Sequence, residues 1–457
     1  MTRFKSTTTF RLRKWYVITS LLIITAAVVI KVQAVSLPNG SSIPSQAIPS
    51  PNAYHTFMST VPMEKDINVI NWAVTKPRTD QPTSLDHPSD PANGWHVFTW
   101  AEKAHLLAEN QPVISIVRQG LAQSYVNPRS NYYVPDESDT YFSSHIQNLL
   151  ILQSQVQAHQ NDWSSAINSC MDTIEIGSML PHGGGLLELS FGLSTERYGR
   201  AHVQAEGLID HLNSNQAKSA AQRLAAINSG EQPFSDSLQE EAWRTEAGML
   251  DEFSNPNWRR DFNGNFGNNL YVDLQPVNLR QAFYVDSISP SHYYNEYASY
   301  MNQRVADSKL PWPDQIKQAA PIIPSDMPGL GDILAGDTTE SLAPYCNLAL
   351  NRLLEVQLAL RAYHLDHGIY PADLNKLTPA YIPAVPIDPF SQHQPLKYRL
   401  TSNGYVLYSI GADAVDNGGK PIDNTGVFGH SHMNEREIRE ASLNINAKGD
   451  IVAGVNE

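Results

Sequence analysis

Two histidine pairs and a glycine cluster have spacings that could do chemistry. His430-Ser-His432 has the form of a metallohydrolase His-x-His element. Met433-Asn-Glu435 follows where such sites continue with Asp-His, and no strand leads in, so the segment reads as a solvated tail. His364 and His367 lie one helical turn apart and could share a metal. No third ligand is identifiable, and both positions fit the polar edge of an amphipathic helix. His182-Gly-Gly-Gly185 could cradle a phosphate at a helix start. No Gly-Lys-Ser/Thr follows it and no strand precedes it, so it reads as a helix stop. No Gly-x-Ser-x-Gly elbow, His-Glu-x-x-His or Walker motif occurs. Glu240-Glu241 and Asp251-Glu252 read as exposed helical faces, and nothing singles out a catalytic carboxylate pair.

The two cysteines, Cys170 and Cys346, form no CxxC and so supply neither a thiol zinc site nor a thioredoxin-like motif. They read as small buried apolar residues on helices. A disulfide between them would be allowed outside the cytoplasm. The chain of 457 residues carries a net charge of -14, a poor match for nucleic acid, whose affinity is built from Lys and Arg on phosphates. At 41% hydrophobic residues it has material for two or three domains, and 30 prolines point to long connections.

The elements that must position any site begin with the N-terminus. Residues 1–14 carry Arg3, Lys5, Arg11, Arg13 and Lys14 and no acid, and residues 15–35 are almost wholly apolar. Twenty-one helical residues at about 1.5 Å each match a hydrocarbon core of about 30 Å. The basic flank predicts a transmembrane anchor in the inner, cytoplasmic membrane, with the bulk of the chain extracytoplasmic. The alternative is a signal peptide cleaved near Ala34, which would leave a secreted or periplasmic protein.

Residues 36–95 read as linker and irregular chain. Residues 96–310 read as a helical domain. Trp100–Gln111 fits one helix. Thr140–Gln157 fits another, with Tyr141, His145, Leu149, Leu152 and Val156 on one face. Asn161-Asp162-Trp163 then opens a second helix, a weak likeness to a tetratricopeptide-type hairpin over about 140–180. Further helices are expected over Leu186–Leu212, Gln216–Asn228, Ser237–Phe253 and Ser291–Ser308, with an aromatic-anchored loop over 254–280. Residues 311–342 are Pro/Gly-rich and mark a linker.

From 343 the pattern is the most regular in the chain. Cys346, Ala349, Leu353, Val356, Leu360 and Tyr363 make one apolar stripe, and Gly368 stops the helix. Lys397–Leu400 and Tyr405–Ile410 read as strands joined at Asn403-Gly404. The order runs through His367-Gly-Ile-Tyr370-Pro371, Pro386-Ile-Asp388-Pro389-Phe390, Leu396-Lys-Tyr-Arg399 and Tyr405-Val-Leu-Tyr-Ser409-Ile-Gly411-Ala-Asp413. Asp416-Asn-Gly-Gly419 follows. Over about 345–425 this resembles the globular domain of the G-type major pseudopilins of type II secretion. The resemblance implies that Tyr370, Pro371, Asp388, Pro389 and Gly411 are structural. It also implies a Ca²⁺ on the following loop, held by Asp413, Asp416 and Asp423 with help from Ser409. Oxygen ligands on a Gly-rich loop suit calcium, and the same residues suit turn caps. The prepilin-peptidase signature of that family is missing from residues 1–40.

The fold expected is multidomain: an N-terminal transmembrane helix, a central all-α helical-hairpin domain, and a pseudopilin-like helix plus small antiparallel sheet over 343–457, ending in a polar tail. The function expected is a non-enzymatic, membrane-anchored envelope protein that binds other envelope or secretion proteins. The alternative is an exported enzyme or solute-binding protein with its site in the helical domain.

Overall fold

The computed structural model describes residues 44–74, 98–128, 137–255, 258, 289–319, 338–422 and 447–455. The expected membrane-spanning segment at 15–35, Asp423, His430 and His432 lie outside them. Among the described residues no helix is long and apolar enough to cross a membrane. Even the longest helix carries Arg352, Glu355, Arg361 and Asp366 along its length. The expected inner-membrane anchor is therefore corrected: the helices described are those of a packed helical protein.

The helices are α1 (Ala53–Met58), α2 (Ile67–Val74), α3 (Trp100–Glu109), α4 (Gln111–Leu121), α5 (Glu137–His159), α6 (Trp163–Met179) and α7 (Leu186–Ala205). They continue with α8 (Leu208–His211), α9 (Ser214–Ser229), α10 (Phe234–Ser254), α11 (Pro290–Ser308), α12 (Trp312–Gln315) and α13 (Thr338–His367). Strands β1 (Lys397–Thr401), β2 (Gly404–Ser409) and β3 (Ile451–Val452) form one antiparallel sheet in the order β1-β2-β3.

Local chemistry sets several boundaries. The helix expected over 100–111 ends at Glu109, because Asn110 turns its side chain to the carbonyls of Lys65 and Leu106. Pro112 sits in the first turn of α4, where its missing N–H costs nothing. Asp162 caps α6 by accepting from Ser165 N at 3.1 Å, directly after Asn161 at φ 61°. Gly368, at φ +73°, ends α13 where the sequence placed the stop.

α6 and α7 cross backbone to backbone. A Cβ on Gly192 of α7 would lie 2.6 Å from the Gly177 carbonyl oxygen of α6, and one on Gly199 would lie 2.9 Å from that of Cys170. Only hydrogen fits at those points.

The multidomain arrangement is corrected as well. The protein is mostly helical with a small three-stranded sheet, and one hydrophobic cluster runs from Ala53 in α1 to Ile451 in β3. The reason lies in α13. Besides the expected stripe it buries Leu350, Leu354 and Leu358, because it packs on α9 and α7 and also meets β2 and the 3-10 turn Leu374–Leu377. At roughly 2 kcal/mol per buried leucine, Leu350, Leu353, Leu354, Leu358 and Leu360 together contribute on the order of 10 kcal/mol. Trp312, at the head of the expected linker, is also buried. It donates from Nε1 to the Ala412 carbonyl at 2.9 Å and meets Phe390 edge to face. α10 and α11 form a second, aromatic cluster around Met249, Phe253, Tyr293 and Tyr297.

The α6–α7 crossing generates a prediction. Gly192→Ala should destabilise the protein by about 1–3 kcal/mol in chemical denaturation, since overpacking outweighs the helix propensity gained. An unchanged or raised midpoint would show that the two backbones do not meet there.

Candidate functional site

The residues singled out in the sequence gather around the sheet. Asp388 is 1% exposed. Its Oδ1 accepts from Phe390 N at 3.0 Å and from the Ser409 hydroxyl at 2.7 Å, and its Oδ2 accepts from Ile410 N at 2.8 Å. One carboxylate thus ties the Asp-Pro turn to the end of β2. Burial raises its pKa, and the three donors with Arg352 oppose the rise. Tyr370 stacks on His364 and meets Tyr405 edge-on, while the Pro371 carbonyl accepts from Tyr398 Oη at 2.8 Å. Pro389 precedes the buried Phe390. Gly411, at φ +74°, passes so close to the Gly449 carbonyl that a Cβ would lie 2.6 Å from it.

The expected calcium residues lie on or beside the loop that follows. Asp413 accepts from Val415 N at 3.0 Å. Asp416 accepts from Gly418 N at 2.9 Å and Tyr408 Oη at 3.0 Å. These N–H and O–H bonds, with Lys397 nearby, hold Asp416 below the usual carboxylate range. Ser409 is buried and spends its hydroxyl on Asp388. Among the described residues no three His, Cys, Asp or Glu side chains converge as a metal would require. Two carboxylates fall short of the six to eight oxygens of calcium, so further oxygens would have to come from carbonyls and Asp423. A residue from the expected polar tail organises the same loop: Asp450, fully buried, accepts from Asn417 N at 3.1 Å and Gly419 N at 2.7 Å.

His364 and His367 do not converge on a metal. Each stacks on a tyrosine, Tyr370 and Tyr363 respectively. Cys170 and Cys346 are free and buried, and burial pushes both thiols up to about 12. Gly183 of the Gly-rich segment takes φ +75° after α6, as a helix stop does.

A second cluster, at the seam between α7 and α13, was not singled out in the sequence. Glu196 and Arg200 sit one turn apart on α7, and both are buried. Asn347 and Asn351 of α13 stand between them. Arg200 Nη1 donates to Asn347 Oδ1 at 3.0 Å and Asn351 Oδ1 at 2.6 Å. The two amide groups donate onward to Glu196 Oε2, from Asn347 at 2.9 Å and from Asn351 in a short contact. Asn351 Nδ2 also reaches Glu231 Oε1 at 3.3 Å, so two carboxyl groups meet at one amide. Burial lifts Glu196 well above the usual carboxylate range and the Glu231 charge adds to the lift, while Arg200 and both asparagines oppose it. Burial pushes Glu231 up to about 7 against Asn351, Arg352 and Arg200.

Glu355, one further turn along α13, is pushed by burial to about 7 and accepts from Asn228 Nδ2 of α9 at 2.8 Å. Arg352 lies between the two sites. Its Nη1 donates to the Ile387 carbonyl at 2.7 Å, beside Asp388. The signal in the sequence was a polar line, Asn347, Asn351 and Glu355 at steps of four, on an otherwise apolar helix.

A cavity lined by Tyr54, Phe57, Tyr125, Phe142 and Glu188 holds about 30 Å³, room for a water or two and not for a metabolite. Comparison with protein-family models, curated proteins and solved structures gives no match to the chain.

Asp388→Ala leaves Ile410 N and the Ser409 hydroxyl buried without their acceptor. It should cost about 2–4 kcal/mol and weaken the near-ultraviolet dichroism of the Trp312 cluster. A variant as stable as the parent would show that the turn and β2 are held some other way.

Proposed function

We propose that the chain is a non-catalytic interaction protein, in which a helical scaffold carries a pseudopilin-like helix and sheet and binds components of a secretion or pilus-like apparatus. The observation that carries this reading is the order of the C-terminal elements. Long α13 leads through the Tyr370-Pro371 turn and the Asp388 hub to the β1-β2 hairpin, and β3 completes an antiparallel sheet. The motifs that carry the resemblance occupy structural positions in that order, which suits a module used for its surface. The surface has material for contacts: Ile369 is 65% exposed at the corner after α13, and Leu400 is 46% exposed on β1.

Photo-crosslinking in the native cell tests the reading. With p-benzoylphenylalanine in place of Ile369 or Leu400 of the full chain, adducts with a secretion or pilus-apparatus protein are expected. Adducts only with unrelated proteins, or none from either position, would overturn it.

The same reading proposes a calcium ion on the loop of Asp413 and Asp416. Calorimetric titration of the full chain with CaCl₂ should give heat that Asp413→Asn removes. No heat at millimolar Ca²⁺ would remove the cation and leave the interaction reading in place.

A further inference from the structure

The seam between α7 and α13 does a job that the interaction reading does not use. Two carboxyl groups from different segments, Glu196 on α7 and Glu231 after α9, accept hydrogen bonds from the same Asn351 amide. Glu196 is 2% exposed. Glu231 is half-buried, and two like charges brought to one amide beside a buried carboxyl are costly, so a pair so placed takes up protons instead. A second, independent feature lies one turn away. Asn228 is 7% exposed, its Nδ2 donates to Glu355 Oε2, and its Oδ1 has no hydrogen-bond partner. A proton on Glu355 would put a donor beside this acceptor. A buried acceptor left bare is costly, so the neutral acid is the species this pocket favours.

We propose that the seam is a proton-operated latch: Glu231, beside Glu196, and Glu355 each hold a proton that fastens α13, and the sheet it carries, to α7 and α9. The latch loosens when those protons leave.

The charged and titratable groups around these carboxyls come from α7, α13, the turn before β1 and the segment after α6, where His182 Nε2 lies 3.1 Å from the Gly230 carbonyl next to Glu231. Arg200 on α7 reaches Glu196 through the two asparagines, and Arg352 on α13 lies near both Glu231 and Glu355. Asp388 faces Arg352 from the turn before β1. Cys346 lies near Arg200, with its thiol pushed up to about 12 and silent over the range that matters. The two arginines keep their charge throughout. The Glu231→Gln, Glu355→Gln variant keeps His182 and so separates the carboxyls from the imidazole.

The direction follows from where their protons leave. Glu231 and Glu355 both titrate at about 7 in the folded protein, against about 4.3 for an unfolded glutamate. A carboxyl raised in this way contributes stability that is fully present below the unfolded value. That contribution is lost as pH rises through the folded one. The latch is closed in mild acid and weakens between about pH 6 and 8, and Arg352 transmits the change through the Ile387 carbonyl to the Asp388 turn.

Hydrogen exchange of the full chain at pH 5.5 and pH 8.0, corrected for the chemical rate, tests this. The α13 amides of residues 347–362 should exchange roughly tenfold faster at the higher pH relative to those of α5, which carries none of these carboxyls. In the double variant Glu231→Gln, Glu355→Gln, whose amides imitate the protonated acids, the two pH values should give the same ratio. An unchanged α13-to-α5 ratio in the parent would overturn the proposal. So would a double variant that keeps the parent's pH dependence. If the double variant fails to fold, the parent's pH series decides alone.

Discussion

Arg200 and Glu196 are buried one turn apart on α7, and two asparagines of another helix join them. A buried charge without partners is among the most destabilising things a fold can contain. α7 alone leaves these two without their asparagines, and α13 alone leaves Asn347 and Asn351 without an acid or an arginine. Each helix completes the other's hydrogen bonds, so the geometry of the seam is over-determined. The arrangement of the rest follows from it: α13 is held in register against α7 and α9, and its other side is then the floor on which the sheet is built.

That sheet hangs on a second buried carboxylate. Asp388 fixes the turn that precedes β1 to the end of β2, and Asp450 fixes the loop after β2 beside β3. Arg352 connects the two levels, since its guanidinium sits among the seam carboxyls and donates to Ile387 beside Asp388. Trp312 closes the same region from the other side, its indole N–H on Ala412. The chain that leads into the C-terminal part is thereby anchored inside it.

What could be read from the sequence was what is local. The hairpin of β1 and β2, the Gly368 stop and the Asn161-Asp162 turn before α6 all rest on nearest-neighbour chemistry; the hairpin turn itself falls one residue earlier than expected, on Ser402-Asn403, with Gly404 paired to Thr401 as the first residue of β2. What could not be read was pairing at a distance. β3 is two residues long in a polar stretch and exists because Ser409 and Tyr408 pair with Ile451 and Val452. α4 was hidden by Pro112, which reads as a breaker until it is seen to sit in a first turn. The seam was visible only as a polar line on an apolar helix. Which acid it met, Glu196 more than 150 residues earlier, is a property of the packing. The single stripe expected on α13 misled for the same reason. A helix between two layers needs two apolar faces, and Leu350, Leu354 and Leu358 were the second.

α13 and its sheet are held by the helical layer and do not fold as a unit by themselves. Expression of residues 338–457 alone, with unfolding followed by circular dichroism, tests this most directly. No cooperative transition is expected for this fragment, because Asn347, Asn351, Glu355 and the leucines facing α9 and α7 would all be stripped of their partners. A fragment that unfolds cooperatively at the midpoint of the full chain would contradict it.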